Sequence, residues 1–85
     1  MESQRYYILT DISIADINEI VASQLGVRVV TAQDRLMEDL GAESADVANI
    51  VAAVEEKYHI VVKESEIARI STPADLLQLV EKKVV

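Results

Sequence analysis

Apolar residues with a helical period constrain the fold of this chain more than any other feature of its sequence. In the stretch 44–58 they recur with the spacing of one buried helical face, at Val47, Ile50, Val51, Val54 and Tyr58. The stretch 14–25 has the same period, with apolar residues at Ile14, Ile17, Ile20, Val21 and Leu25. Two amphipathic helices therefore account for much of the chain and favour an all-α protein.

Local start and stop signals mark the ends of the first predicted helix. Ser13, followed three residues later by Asp16, has the pattern of a capping box with the shorter acid. Gly26 follows the last periodic residue, as is typical of a helix C-terminus. We therefore expect helix 1 to cover residues 14–25.

The last helix has the clearest start signal in the chain. Thr72 as N-cap, Pro73 at the first helical position and Asp75 three residues after the cap predict a helix that runs to about Lys83. Before it, residues 64–69 predict a short helix with Ile67 and Ile70 facing inward. The apolar run 59–62 breaks the helical period, and without a partner strand we expect it to be a packed loop.

The elements add up to a small four-helix bundle with three main helices and one short helix. A length of 85 residues fits a single domain over 1–85, with residues 1–12 as an N-terminal arm. Whether Tyr6, Tyr7, Ile8 and Leu9 in that arm fray, extend against the body or contact a partner stays open. A long loop, 27–43, joins helices 1 and 2, and we expect five residues to pin it to the core: Val29, Val30, Leu36, Met37 and Leu40.

Composition excludes several classes of function. There is no cysteine, so disulfides, thiolate metal sites and cysteine nucleophiles are excluded. No apolar run is long enough to cross a bilayer, and residues 1–10 lack the pattern of a signal peptide. The net charge of −7 argues against binding nucleic acid or an anionic membrane. We expect a monomeric cytoplasmic protein with no stable membrane insertion.

The acidic residues concentrate in one segment. Between residues 34 and 56 only Arg35 opposes seven acids, which are Asp34, Glu38, Asp39, Glu43, Asp46, Glu55 and Glu56. Such a field attracts partner proteins with basic patches. A surface that only aids solubility explains the same residues, so the charge pattern alone leaves both interpretations open. Alanines at 45, 48 and 52 similarly fit either a close partner approach or a neutral helical face.

Ser44 lies between the acidic loop and helix 2, where an N-cap is expected. As a nucleophile it would need a nearby base. The only histidine is His59, and 15 residues of helix at about 1.5 Å each separate the two by about 22 Å. A catalytic triad is therefore excluded, and we predict His59 to be a surface residue at the helix end. No residue is predicted to be catalytic.

No metal site is predicted from the sequence. With one histidine and no cysteine, only oxygen-liganded ions remain, and Asp39, Gly41 and Glu43 do not match an EF-hand loop. Weak, nonspecific association of Mg²⁺ or Ca²⁺ with the acidic segment is compatible with the pattern. A serine that carries a covalently attached phosphodiester fits better, because a helix start stabilises anions.

The residues around Ser44 resemble the acyl carrier protein family. Residues 38–46 read Glu-Asp-Leu-Gly-Ala-Glu-Ser-Ala-Asp, close to the family's Asp-Leu-Gly followed by Asp-Ser-Leu at the start of its second helix. Further agreement lies at Gln24-Leu25-Gly26-Val27, at Val54-Glu55-Glu56-Lys57-Tyr58 and at Ile70-Ser71-Thr72. The resemblance covers residues 13–83.

The resemblance implies that Ser44 carries 4′-phosphopantetheine, transferred from coenzyme A by a phosphopantetheinyl transferase. The thiol of that arm would hold acyl intermediates as thioesters between enzymes of a fatty-acid, lipid or polyketide-type pathway. The chain would then be a carrier and not an enzyme. Its partners, which load, elongate and transfer acyl groups through basic patches, would contact Glu38, Asp39, Glu43, Ala45, Asp46, Ala48, Asn49, Ala52, Glu55 and Glu56.

Three positions depart from the family pattern. Glu43 replaces the usual Asp, Ala45 replaces the usual Leu, and Asn49 stands where a Glu is common. A Leu-to-Ala truncation removes about 1–2 kcal/mol of apolar contact. We interpret the chain as a specialised carrier for a dedicated pathway. The alternative is an unmodified carrier-like module, whose acidic helix docks a basic partner while Ser44 only caps the helix. The sequence leaves the cargo open.

Overall fold

Four helices make up the part of the protein that this computed structural model describes, residues 12–84, and no strand occurs in that range. Helix α1 spans Ile14–Leu25, α2 spans Ser44–Tyr58, α3 spans Glu64–Ile67 and α4 spans Pro73–Val84. The expected all-α bundle with three main helices and one short helix is confirmed. The arm with Tyr6, Tyr7, Ile8 and Leu9 lies outside the described residues, although Ile12 at its end packs on the core.

The ends of α1 follow the local signals in the sequence. The Ser13 hydroxyl accepts a hydrogen bond from the backbone N–H of Asp16 at 3.2 Å. Gly26 adopts the left-handed conformation at φ 69°, which a residue without a Cβ reaches without steric cost. Its N–H reaches back to the carbonyl of Ala22. Both predicted ends of α1 are confirmed.

Helix α4 begins at a reciprocal cap. The Thr72 hydroxyl accepts from the backbone N–H of Asp75 at 3.2 Å, and the Asp75 carboxylate accepts from the N–H of Thr72 at 3.0 Å. A further bond from the N–H of Ser71 to Asp75 measures 2.9 Å. The predicted start is therefore confirmed. Helix α3 ends at Ile67, two residues before the predicted end, and Ile67 and Ile70 pack on the core as expected.

Helix α1 packs against both α2 and α4, and α3 packs on α2. The apolar stripes of the three long helices meet in one core, whose buried members from the helices are Ile17, Val21, Val47, Ile50, Val51, Val54, Leu76 and Val80. This core contains no buried charged or polar residue among the described ones. The helical period in the sequence therefore identified the buried faces correctly.

The loop between α1 and α2 is fastened to the connection between α3 and α4. The backbone N–H of Leu36 donates to the carbonyl of Ser71 at 2.9 Å, and the N–H of Ala74 donates to the carbonyl of Ala32 at 3.1 Å. Leu36 and Val30 are buried, and Leu40 is half-buried against the core. These two bonds hold the loop, with its acidic residues, against the residues that lead into α4 and against the start of α4.

Two of the five expected loop anchors are wrong. Val29 is 73% exposed and Met37 is 49% exposed. Their neighbours Val30 and Leu36 point into the core instead, and consecutive side chains of such a loop cannot all face inward. The loop 59–62 contains no strand, as expected, with Val62 buried and Val61 exposed.

Candidate functional site at Ser44

Ser44 is the first residue of α2, and its side chain is exposed. The preceding turn depends on Gly41, whose φ of 73° is in the left-handed region that favours glycine. After this turn, Ala42 is buried and anchors the chain just ahead of the serine. Its N–H donates to the carbonyl of Leu36 at 2.8 Å. The turn thus presents Ser44 to solvent from a fixed position.

The expectation that Ser44 is the N-cap of α2 is wrong. The cap is Glu43, which has an extended backbone, and its N–H donates to the Asp46 carboxylate at 2.9 Å. A capping box needs a side chain with an acceptor oxygen three residues after the cap. Asp46 provides it for Glu43, whereas the residue three positions after Ser44 is Val47, whose side chain has no acceptor. The helix therefore caps one residue earlier, and the Ser44 hydroxyl is not needed to begin it.

The position of Ser44 suits an attached phosphodiester. The backbone N–H groups of a first helical turn have no partner within the helix, and the helix dipole favours negative charge there. Ser44 and Ala45 both belong to that turn. A phosphate on the serine oxygen would lie near these donors, where anions are stabilised.

An open groove of about 380 Å³ lies beside Ser44. Its walls come from the loop, from the first turn of α2 and from the α3 region, and its lining residues are Leu36, Met37, Glu38, Ser44, Val47, Ile67, Ala68, Ile70 and Ser71. Most of these side chains are apolar, with Glu38 and two serines at polar points. The volume is at the small end of the range for ligand pockets.

Several groove residues could not be recognised from the sequence. Met37 was expected to be a core anchor, and it lies instead half-exposed at the groove. Ile67 and Ile70 were expected to face inward, but no local signal related them to Ser44. Only the folded arrangement of loop, α2 and α3 brings these residues together.

The ten expected partner-contact residues lie on α2 and the loop before it. Ala45, Ala48, Asn49, Ala52 and Glu56 are all exposed and share one face of α2, starting beside Ser44. Glu38, Asp39 and Glu43 are exposed at the same end, whereas Asp46 and Glu55 are half-buried. Eight of the ten expected contact residues are therefore exposed, and most of them have small or acidic side chains.

Some of these acids have structural bonds within the chain. The Asp39 carboxylate accepts from the backbone N–H of Arg35 at 2.8 Å and pairs with the guanidinium at 3.3 Å. These contacts, first the backbone N–H and then the side chain, lower the pKa of Asp39. Asp34 accepts from the N–H of Thr31 at 2.8 Å. The carboxylates of Glu38 and Glu56 make no hydrogen bond or ion pair with residues 12–84. The charge of Glu38 does act on Arg35, whose pKa is raised mainly by Asp39 and to a lesser extent by Glu38.

The structure shows where His59 lies and whether acidic side chains and His59 cluster as metal ligands would. His59 is exposed at the opposite end of α2 from Ser44, with a left-handed φ of 57°. This confirms its predicted surface position at the helix end. Within residues 12–84 no group of three or more His, Asp or Glu side chains is arranged to hold a metal ion. In the same range, no helix has the length and apolar character that crossing a membrane requires.

The chain is similar to known proteins over most of its length. The family model described as the phosphopantetheine attachment site matches residues 15–80. The acyl carrier protein of Wolinella succinogenes is 40% identical over 68 residues, which is 78% of this chain and 90% of that protein. That of Akkermansia muciniphila is 38% identical over 77 residues, covering 87% of this chain and 96% of that protein.

A solved structure has the same helical arrangement. The crystal structure of an acyl carrier protein from Thermotoga maritima matches with a TM-score of 0.71 and 30% identity, over 84% of this chain and 85% of that one. The fold and the matched family model define a phosphopantetheine attachment domain. The chain belongs to the acyl carrier protein family. Its cofactor is 4′-phosphopantetheine, and its relatives are carriers of acyl groups.

Proposed function

We propose that Ser44 is the attachment residue and that the chain shuttles acyl groups between the enzymes of a dedicated biosynthetic pathway. The observation that carries this proposal is the position of Ser44, exposed at the start of α2 with an apolar groove directly beside it. The serine is not required as a helix cap, which leaves its oxygen free to form a phosphodiester. Ser44 would hold the phosphate next to the free N–H groups of the first turn.

When bound, the phosphopantetheine arm supplies a thiol that carries an acyl group as a thioester. The chain's own residues provide attachment, shelter and recognition. Leu36, Met37 and Val47 on one side of the groove, and Ile67 and Ile70 on the other, offer apolar contact to a short cargo. No group on the chain performs the acyl transfer itself, so that chemistry belongs to partner enzymes.

Partner recognition would use the outward face of α2. Glu38 and Glu56 attract basic patches, and Glu43 adds charge next to the serine. Ala45 and Asn49, which replace the family's Leu and Glu, make this face smaller and less charged. We infer that the partners are specific to this carrier, beginning with a phosphopantetheinyl transferase. The expected cytoplasmic location, monomeric state and single domain over 1–85 stay predictions.

The proposal is tested by examining the protein as its own host produces it. After isolation under acidic conditions, which preserve thioesters, the Ser44 peptide is examined by mass spectrometry before and after hydroxylamine treatment. We expect a phosphopantetheine increment that survives hydroxylamine and a further acyl increment that does not. A Ser44 peptide that is always unmodified would contradict the proposal and favour the interaction module that docks a partner without an arm.

Partner specificity has its own experiment. Ala45→Leu restores the side chain that enzymes of the generic fatty-acid pathway contact, and the added apolar area is worth about 1–2 kcal/mol. We expect kcat/KM with a generic malonyl-loading enzyme to rise roughly tenfold in the variant. Ala53→Leu, also on α2 but half-buried, is the control for added bulk. Efficient loading of the unaltered chain by the generic enzyme would contradict the specialised role.

A further inference from the structure

The wall of the groove opposite α2 consists of α3 and the residues just after it. Ile67, Ala68 and Ile70 line the groove, and α3 itself is only four residues long. A helix of this length has no independent stability in water, since nucleation is not repaid by propagation. The position of this wall therefore depends on its ties to the rest of the protein.

One side chain closes α3 and fastens it to α4. Glu66 Oε1 accepts a hydrogen bond from the backbone N–H of Lys63 at 2.9 Å, which caps the short helix. The same oxygen lies 3.0 Å from Nζ of Lys83, in the last turn of α4. Residues 12–84 contain one further ion pair, which joins Arg35 and Asp39 within one turn of the loop. Glu66 and Lys83 thus form the ion pair that links separate elements.

The pair lies partly out of solvent. The side chains of Lys83 and Glu66 are 23% and 30% exposed, whereas those of Arg35 and Asp39 are 57% and 40% exposed. Screening by water and salt is weaker for the shielded pair. The backbone N–H of Lys63, and next the ammonium of Lys83, lower the pKa of Glu66.

A second groove lies on the other side of the same wall. It has a volume of about 320 Å³ between the α3 region and α4, and Glu66, Ile70 and Lys82 are among its lining residues. Ile70 lines both grooves, so the chain at this point is a partition between two open spaces. A shift of the partition enlarges one groove at the expense of the other.

We propose that Glu66 and Lys83 are positioning residues, which hold the α3 wall at a fixed distance from Ser44 and so set how closely the groove encloses an attached acyl group. This inference rests on the proposed function of Ser44. Neither residue touches the cargo. Both act through the position of Ile67, Ala68 and Ile70. The ion pair of Lys83 with Glu66 links this wall to α4, on the side that faces away from Ser44.

Lys83→Met is the discriminating variant, because it removes the ammonium and keeps most of the apolar stem and the cap between Glu66 and Lys63. Lys83→Arg restores a cation at the same position. Lys82→Met is the matched control, since Lys82 is exposed and makes no ion pair with the described residues. Amide hydrogen exchange is measured on the protein without the arm.

We expect Lys83→Met to speed exchange of the Ile67, Ala68 and Ile70 amides roughly two- to fivefold, the range for one partly shielded ion pair. Those amides bond to the carbonyls of Lys63, Glu64 and Ile67. The amides in the middle of α1 and α2 should exchange as in the unaltered protein, and Lys83→Arg and Lys82→Met should leave α3 unchanged. Equal exchange in the Lys83→Met and Lys82→Met variants, or faster exchange spread evenly over all helices, would overturn the inference.

A second readout concerns the cargo. A hexanoyl-phosphopantetheine group is loaded from hexanoyl-CoA by a broad-specificity transferase, and cleavage of its thioester by hydroxylamine is timed. We expect faster cleavage in Lys83→Met and the original rate in Lys83→Arg. An unchanged rate despite faster α3 exchange would overturn the claim that the wall shelters cargo. Failure of any loading would count against Ser44 as the attachment residue, while the exchange experiment would still decide the role of Lys83.

Discussion

The carboxylate of Glu55, in the last turn of α2, accepts the backbone N–H of Val62 at 2.8 Å. The bond crosses the loop that leads to α3 and lies in a part-buried position. Val62 is itself buried, so the carboxylate satisfies a donor that would otherwise lack water. Glu55 therefore has a structural role, although the sequence predicts it only as a partner contact.

This relationship separates Glu55 from its neighbour Glu56. Glu55→Ala should lower the free energy of unfolding by about 1–3 kcal/mol, because it leaves the Val62 N–H without an acceptor. Glu55→Gln keeps an acceptor oxygen and should lower it less. Urea unfolding of both variants measures the difference.

Glu56→Gln tests whether the neighbouring carboxylate contributes to partner docking and not to stability. Its side chain is exposed and has no bond to the described residues, so stability should change by less than about 0.5 kcal/mol. The KM of a phosphopantetheinyl transferase should rise, because the charge that attracts its basic patch is lost. A larger loss of stability in Glu56→Gln than in Glu55→Ala would contradict this division of roles.

Two carboxylates make stability depend on acid pH. The pKa values of Asp39 and Glu66 are lowered, chiefly by the backbone N–H groups of Arg35 and Lys63. A group whose pKa is lower in the folded state stabilises the fold above its unfolded pKa, about 3.9 for Asp and 4.3 for Glu. That stabilisation is lost as the pH falls through the folded pKa. Both contributions should therefore begin to decrease as the pH falls below about 4, and they should be gone once the pH is below the lowered folded pKa values.

Carboxyl ¹³C titration of two variants checks the cause of these shifts. Arg35→Met should raise the pKa of Asp39 only part of the way to its ordinary value, because the backbone N–H remains. Lys83→Met should do the same for Glu66. Complete return to the ordinary values would show that the side-chain cations dominate, contrary to this account.

Tyr58 carries a buried hydroxyl without a partner among the described residues. Burial, and then the charge of Asp16, raise the pKa of Tyr58. Its neutral form thus stabilises the fold fully below the unfolded pKa of about 10, and this is lost as the pH rises through the folded pKa. The ring also lies 5.7 Å from Nζ of Lys57, a contact that phenylalanine keeps.

Tyr58→Phe should therefore leave the free energy of unfolding at pH 7 unchanged or slightly higher. It should also reduce the loss of stability above pH 10. Chemical unfolding of Tyr58→Phe and the original protein, at pH 7 and above pH 10, measures both differences in the free energy of unfolding. A loss of more than about 1 kcal/mol at pH 7 would mean that the hydroxyl has a hydrogen-bond partner after all.

The helices could be predicted from the sequence because their signals are local. Ser13, Gly26 and the Thr72-Pro73 start act within one turn of the chain, and the apolar period directly identifies a buried face. The cap of α2 was misplaced because serine is a common cap, whereas the acid that closes the box is three residues after Glu43. A comparison of both candidate boxes would have favoured Glu43.

The groove could not be predicted, because its walls meet only through tertiary contacts. Leu36 and Ser71 are joined by a backbone bond, and Glu66 and Lys83 by an ion pair, and neither pair has a local sequence pattern. Alternation between buried Leu36 and exposed Met37 depends on how the loop crosses the core. The sequence frame predicts Ser44 as the attachment residue, and the fold shows the groove beside it.

The intact mass of the protein shows directly whether Ser44 carries a phosphopantetheine arm. Mass spectrometry is applied to three proteins, the original chain, Ser44→Ala and Ser65→Ala, before and after incubation with coenzyme A and a broad-specificity phosphopantetheinyl transferase. Ser65 is the control because it is an exposed serine on α3. We expect one phosphopantetheine increment on the original chain and on Ser65→Ala, and none on Ser44→Ala, whose helical circular dichroism should be unchanged. An increment that persists in Ser44→Ala, or none on any of the three with several transferases, would contradict this expectation.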